Sequence, residues 1–291
     1  MNQKLIKYSL PAITIDMGGL PLKQPLPYKE IEQVDPFLLL HHARFKAVKN
    51  RPPMQQGVGP HPHRGFSPVT FVLEGEIHHR DSRGNSQIAK KGEVQWMHAG
   101  LGIIHSERPS EFMALYGGRQ EIIQLWINSP ANKKMIEPAY LHLDETEMPN
   151  IQSTDKKVNL RLVAGNYNNE TVRSIAQSEL LILWGTAAVD GKCEIKIPAN
   201  YSALCYLISG ACKLEGDKLT EKETLVVFEE VGETVFMEFT ADSEFLILAG
   251  LPIAEEVTKH GPFVMNTQTE IMEAMRDYQM GKMGVLIENE L

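Results

Sequence analysis

The sequence predicts an all-β protein in which one barrel or sandwich fold is used twice. Three observations carry that expectation. Short segments rich in β-branched and aromatic residues recur, separated by turn signals about every 8–12 residues. The 291 residues allow about two domains at roughly 100–200 residues each. The strand order of the first half is repeated in the second.

In chain order, residues 69–73 (VTFVL) read as a strand that ends at Glu74-Gly75. Residues 77–80 follow, then a turn over 81–85 (DSRGN), a strand at 87–89, a turn at 90–92 (KKG) and strands at 93–97 and 122–127. The segment 129–154, with Pro130, Pro138 and Pro149, reads as the connection between halves. Beyond it, 203–210 (ALCYLISG) matches 68–75 (PVTFVLEG), 221–228 matches 90–96, and 244–252 matches 122–130. The expected domains are therefore 1–135 and 136–291. Near the end, Thr267 and Glu270 have capping-box spacing for a short C-terminal helix. Ile271, Met272, Met275 and Tyr278 then form an apolar stripe expected to be its packing face, and Gly281 suits the position just past its end. Residues 284–291 are expected to be a surface strand or loose end.

Composition excludes several function classes. Hydrophobic residues make up 43% of the chain and charged residues 23%, as in a globular core-forming protein. The net charge of −8, without basic runs, argues against direct nucleic-acid binding and against docking on anionic membranes. The opening residues lack the apolar run of a signal peptide. The longest apolar stretch, around 180–189, is broken by Gly185 and Thr186 and falls short of the roughly 20 residues of a membrane span. Cys193, Cys205 and Cys212 contain no CxxC pair and are expected to be reduced core or strand thiols. A cytoplasmic protein is the expectation that follows.

Histidine is unevenly distributed. His41, His42, His61, His63, His78, His79, His98 and His105 all precede residue 110, whereas the cysteines all follow residue 190. Two short motifs stand out, His61-Pro62-His63 and His105-Ser106-Glu107. Residues at i and i+2 of a strand share a face. On neighbouring strands of one barrel these pairs would bring three imidazoles and one carboxylate to a point. Such a set lacks the thiolates of a cysteine-rich zinc site and is too nitrogen-rich for calcium or magnesium. It suits one divalent first-row metal, with iron, manganese, nickel, copper and zinc all chemically admissible. Gly100 and Gly102 would let the backbone turn or approach closely just before His105.

The remaining histidines have a plainer reading. His41 with His42, and His78 with His79, are adjacent in sequence, so in strands their side chains point to opposite faces and cannot both serve one ion. His98 lies between the motifs, and His142 and His260 have no ligand-type neighbours. The second half carries no such set and is expected to be metal-free. No Walker loop, GxSxG elbow or HExxH motif is present.

At these residues the chain resembles the pirin family, a bicupin group within the cupin superfamily. The matching strings are HPHRGF at 61–66, LEG at 73–75, QWMHAGLGIIHSE at 95–107, QLW at 124–126 and EP at 137–138. Two departures are visible. Ser67 stands where many cupins and pirins carry Glu, and His98 where related sequences commonly have Thr. The resemblance implies two jelly-roll barrels facing each other, with metal only in the N-terminal one, held by His61, His63, His105 and Glu107. It implies iron(II) as the metal. For several members it implies quercetin 2,3-dioxygenase activity, with an aromatic substrate, O2 and Glu107 as catalytic ligand or base. For others it implies a non-enzymatic redox-sensing regulator that acts through a protein partner. A monomer is expected, since two barrels can bury their own cores.

Overall fold

The computed structural model describes residues 2–29, 31–216 and 218–288. Residues 289–291 of the expected C-terminal tail lie outside the described residues. Strands dominate, and Gln268–Gln279 is the one helix longer than two turns among the described residues, as an all-β reading requires.

The chain forms two compact units that interleave in sequence. One comprises Lys23–Leu38 and Thr146–Pro252 with the start of the chain up to Ile15. The other comprises Asp16–Leu22, Leu39–Glu145 and everything from Ile253 onward. All ten histidines fall in the second unit and all three cysteines in the first. A single divide at 135/136 does not describe this arrangement.

The cause lies in sheet edges. In the cysteine unit, Ser202–Ser209 is flanked by Thr224–Phe228 and Ser243–Gly250, which pairs onward with Leu180–Ala187. In the histidine unit, Phe66–Glu74 is flanked in the same way by Val94–His98 and Gly118–Asn128. The three strand pairs matched in sequence thus occupy equivalent places, which makes the duplication real. Each sheet must then cover one more edge. Ala139–Leu143 pairs on Val94–His98, so the expected connection holds a strand of its own. The equivalent place on Thr224–Phe228 is taken by Ile6–Pro11, from the other end of the chain. Each unit also has a second, four-stranded sheet. In the histidine unit its order is Val58–His63, Ile103–Arg108, Glu76–Asp81, Ser86–Lys90.

The cores follow from alternation. In the cysteine unit Leu160, Leu162, Leu181, Leu183, Cys205, Leu207, Val226, Phe245 and Ile247 are at most 4% exposed and form one cluster. All three thiols join that cluster. Burial pushes Cys193 and Cys212 up to about 12, which agrees with unreactive core thiols.

The C-terminal helix has the expected start. Thr267 accepts from the Glu270 amide, and Glu270 reaches back to the Thr267 amide. Gly281, just past its end, has φ +73°. Its packing face differs from the expected stripe. Ile271 and Ala274 are buried with Phe263, Met265 and Met283, while Met272, Met275 and Tyr278 are largely exposed. The small Ala274 lets the helix sit close, and the larger apolar residues stand at the rim of the contact or beyond it, the Tyr278 ring 6.4 Å from that of Phe263.

Candidate metal centre

The site is built on the four-stranded sheet of the histidine unit. Val58–His63 and Ile103–Arg108 run antiparallel, with His61 opposite His105 and Ile103 opposite His63. Glu76–Asp81 lies on the other side of Ile103–Arg108, with Asp81 opposite His105 and His79 opposite Glu107. Opposed residues share a face, so His61, His63, His105, Glu107, His79 and Asp81 all project from one side. Gly65, at φ +86°, turns the chain after the first motif. A Cβ there would lie 2.0 Å from the Val264 carbonyl oxygen, so only glycine fits.

The three imidazoles converge. One ring nitrogen from each of His61, His63 and His105 lies within 4.8 Å of the others. The rings of His61 and His105 have centroids 4.3 Å apart, and His63 packs edge-on against Phe66 and Trp126. Burial pushes His63 and His105 well below the usual imidazole range, and their imidazole neighbours add to this. Both are therefore neutral at physiological pH, as a metal ligand must be.

Hydrogen bonds decide which nitrogen is free. His61 Nδ1 lies 2.8 Å from the Gly59 carbonyl and His63 Nδ1 lies 3.3 Å from that of Pro262. A carbonyl only accepts, so both rings carry their proton on Nδ1 and offer a bare Nε2. His105 Nδ1 faces His79 Nδ1 at 3.3 Å, while its Nε2 is buried with no hydrogen-bond partner. A buried lone pair without a partner is costly in a protein alone. Facing two more imidazoles, it fits a divalent transition metal.

Glu107 is 7% exposed and borders the same cavity, but it is not in the group of three. Its Oε1 accepts from Thr70 Oγ1 and Gln95 Nε2, both at 3.0 Å, and its Oε2 from Gln124 Nε2 at 2.8 Å. The cavity has a volume of about 220 Å³. Phe45, Ile77, Ile122 and Trp126 supply apolar wall beside His61, His63 and Glu107.

The other histidines are placed case by case. His41 borders the cavity, and burial lowers it to about 4. His42 turns the other way, 2.7 Å from Glu121 Oε1. His78 bonds Ser86 Oγ at 2.9 Å, while His79 turns inward, 1% exposed. His98 lies away from the cavity, its Nδ1 3.2 Å from Ser67 Oγ. His142 bonds Glu93. Sequence reasoning set aside His79 as one of an adjacent pair. A signal was present, because His79 and Asp81 form an i, i+2 pair of the same kind as the two motifs. Burial raises Asp81, but hydrogen bonds from His79 and Asn85 outweigh it and hold the carboxyl below its usual range.

Residues 19–127 match the Pirin family, and residues 182–284 match the Pirin C-terminal cupin domain. The chain belongs to the pirin family. A pirin-like protein of Caulobacter vibrioides is 33% identical over 271 residues, covering 92% of this chain and 95% of its own. The crystal structure of a quercetin 2,3-dioxygenase from Acinetobacter baumannii superposes with a TM-score of 0.90 at 32% identity, covering 98% of this chain and all of that one. A bacterial pirin from Escherichia coli, crystallised in complex with nickel(II), shares the fold at 19% identity and a TM-score of 0.66, covering 84% of this chain and 99% of its own. In this pirin-family chain, no helix among the described residues is long and apolar enough to cross a membrane.

Proposed function

We propose that this pirin-family protein is a metal-dependent dioxygenase that opens the ring of flavonols such as quercetin, with release of carbon monoxide. The observation that carries the reading is the cluster of three histidines with free Nε2 atoms, of which His61 and His63 line an apolar cavity beside a buried carboxylate. A quercetin 2,3-dioxygenase of nearly the same fold at 32% identity supports it. His61, His63 and His105 would hold one divalent ion, with Glu107 as a fourth ligand or as a base. Iron(II) is the proposed metal. Bound there, it would act as a Lewis acid that lowers the pKa of an enolic hydroxyl and as a redox partner for O2.

The protein residues supply orientation, dryness and a proton acceptor. Phe45, Ile77, Ile122 and Trp126 make an apolar slot suited to a flat aromatic ring system. Its 220 Å³ is below the ~300–1,000 Å³ of common ligand pockets, so a three-ring flavonol would leave one ring at the mouth. Glu107 takes the 3-hydroxyl proton. Oε1 already accepts two hydrogen bonds and Oε2 one, so Oε2 is the freer acceptor. Loss of that proton makes the flavonol electron-rich enough to react with O2.

The test is to load the protein with iron(II), add quercetin under O2, and follow loss of flavonol absorbance and formation of carbon monoxide. Turnover above that of free iron, abolished in His105→Ala, is expected. A rate equal to free iron would overturn the flavonol reading. Binding of metal without turnover on any aromatic hydroxyl substrate would favour an iron-binding regulator using the same centre.

A further inference from the structure

His79 and Asp81 have no role in the reading above, yet both are buried on the face that carries the metal centre. His79 is 1% exposed and Asp81 3%. His79 Nε2 lies 3.0 Å from Asp81 Oδ2, and His79 Nδ1 lies 3.3 Å from His105 Nδ1. Asp81 is itself fixed. Its Oδ1 accepts from the backbone amides of Arg83 and Asn85, and its Oδ2 accepts from Asn85 Nδ2 at 2.8 Å. The turn over residues 81–85 thus anchors the carboxylate before it meets the imidazole.

The proton positions follow in order. An ionised carboxylate can only accept, so His79 carries its proton on Nε2 and donates it to Asp81. A neutral His79 then has a bare Nδ1. Two nitrogens in contact need one proton between them, so His105 carries a proton on Nδ1 and donates it to His79. His105 Nε2 is therefore bare, and it is the buried nitrogen that finds no partner in the protein. The chain from Asp81 to His105 ends in a lone pair aimed at the site.

We propose that His79 and Asp81 form a positioning dyad for His105, holding its ring in the tautomer and orientation that present Nε2 to a divalent metal. This rests on the reading of the three histidines as a metal centre. Tyr140 completes the device. Its ring stacks on His79, with centroids 4.3 Å apart and planes 18° from parallel. Its hydroxyl donates to Gln95 Oε1 at 3.2 Å, and Gln95 donates to Glu107. The supports of His105 and Glu107 therefore meet at one tyrosine, so tilting His79 would be felt at both.

The experiment measures Co(II) affinity of metal-stripped protein by chelator competition, together with the visible d–d spectrum of the cobalt form. His79→Phe keeps the ring and its stacking but removes the acceptor. His79→Gln loses the ring but can offer a carbonyl oxygen to His105. Under the proposal, His79→Phe weakens Co(II) binding by about 10–100-fold and alters the spectrum, while His79→Gln retains more affinity. A packing role predicts the reverse order. Asp81→Asn, nearly isosteric and safer for folding, would present an N–H to His79, invert both tautomers and weaken binding about tenfold or more. Thermal melting of each metal-free variant checks the fold. His79→Phe or Asp81→Asn binding Co(II) within twofold of the parent, or His79→Gln weaker than His79→Phe, overturns the dyad. Co(II) binding that survives His61→Ala and His105→Ala would instead overturn the metal centre itself.

Discussion

His61 and His105 face each other across an antiparallel strand pair, their rings 4.3 Å apart. Neither ring can turn its Nε2 to solvent without giving up the hydrogen bond at its Nδ1. Replacing either by alanine should abolish stoichiometric metal, read by elemental analysis of protein purified without an affinity metal, and leave a folded chain. His142→Ala, which alters a partly exposed contact with Glu93, should leave metal content unchanged. Equal metal in the parent and in both site variants would show that the ligands lie elsewhere.

Arg64, next to His63 and 3% exposed, donates from Nε to the Leu101 carbonyl and from both terminal nitrogens to Asp277 Oδ2 at 3.1 Å. This ties the first histidine motif to the C-terminal helix. Asp277→Ala would leave a buried guanidinium without its counter-charge. The expected loss is about 2–3 kcal/mol, less than for a fully buried pair because Asp277 keeps some solvent. Urea unfolding of the metal-free protein measures it, and a loss below about 0.5 kcal/mol would contradict this account.

Acid should destabilise the metal-free protein before its carboxylates titrate. Burial lowers His98 to about 4, against about 6.5 in an unfolded chain. Between those values the unfolded state binds the proton and the folded state does not. His98 therefore contributes stability above pH 6.5 that is lost as pH falls towards 4, at up to about 1.4 kcal/mol per pH unit. The melting temperature should fall from pH 7 to pH 5, and His98→Gln should lessen the fall. An unchanged slope in His98→Gln would assign the effect to other groups.

Thr267→Ala removes the side-chain half of the capping box on Gln268–Gln279. A cost of about 1 kcal/mol is expected, and Thr267→Ser should recover most of it. Equal unfolding midpoints for the alanine variant and the parent would mean that packing of Ile271 and Ala274 alone holds the helix.

Much of the site was legible because strand alternation is local. The i, i+2 spacing puts His61 with His63, and His105 with Glu107, on one face of their own strands, and the register of Val58–His63 with Ile103–Arg108 brings the two pairs together. Alternation also separated His41 from His42 and His78 from His79. It did not say which member of each pair faces inward, because that depends on register with a neighbouring strand. His79 is inward because Glu76–Asp81 pairs with Ile103–Arg108 so that His79 lies opposite Glu107.

The residues by themselves determined the all-β class, the duplication, the helix cap and the four candidate ligands. Each rests on local periodicity or on two segments that share a pattern. Only the tertiary structure decided which strand closes each sheet edge, so that Ile6–Pro11 serves the cysteine unit and Ala139–Leu143 the histidine unit. It also decided that Ala274 packs in place of Met275, and that Asp81, His79 and Tyr140 stand behind His105. These outcomes turn on edges that must be paired and buried polar atoms that must be satisfied by residues far away in sequence. No local pattern along the chain encodes such partners.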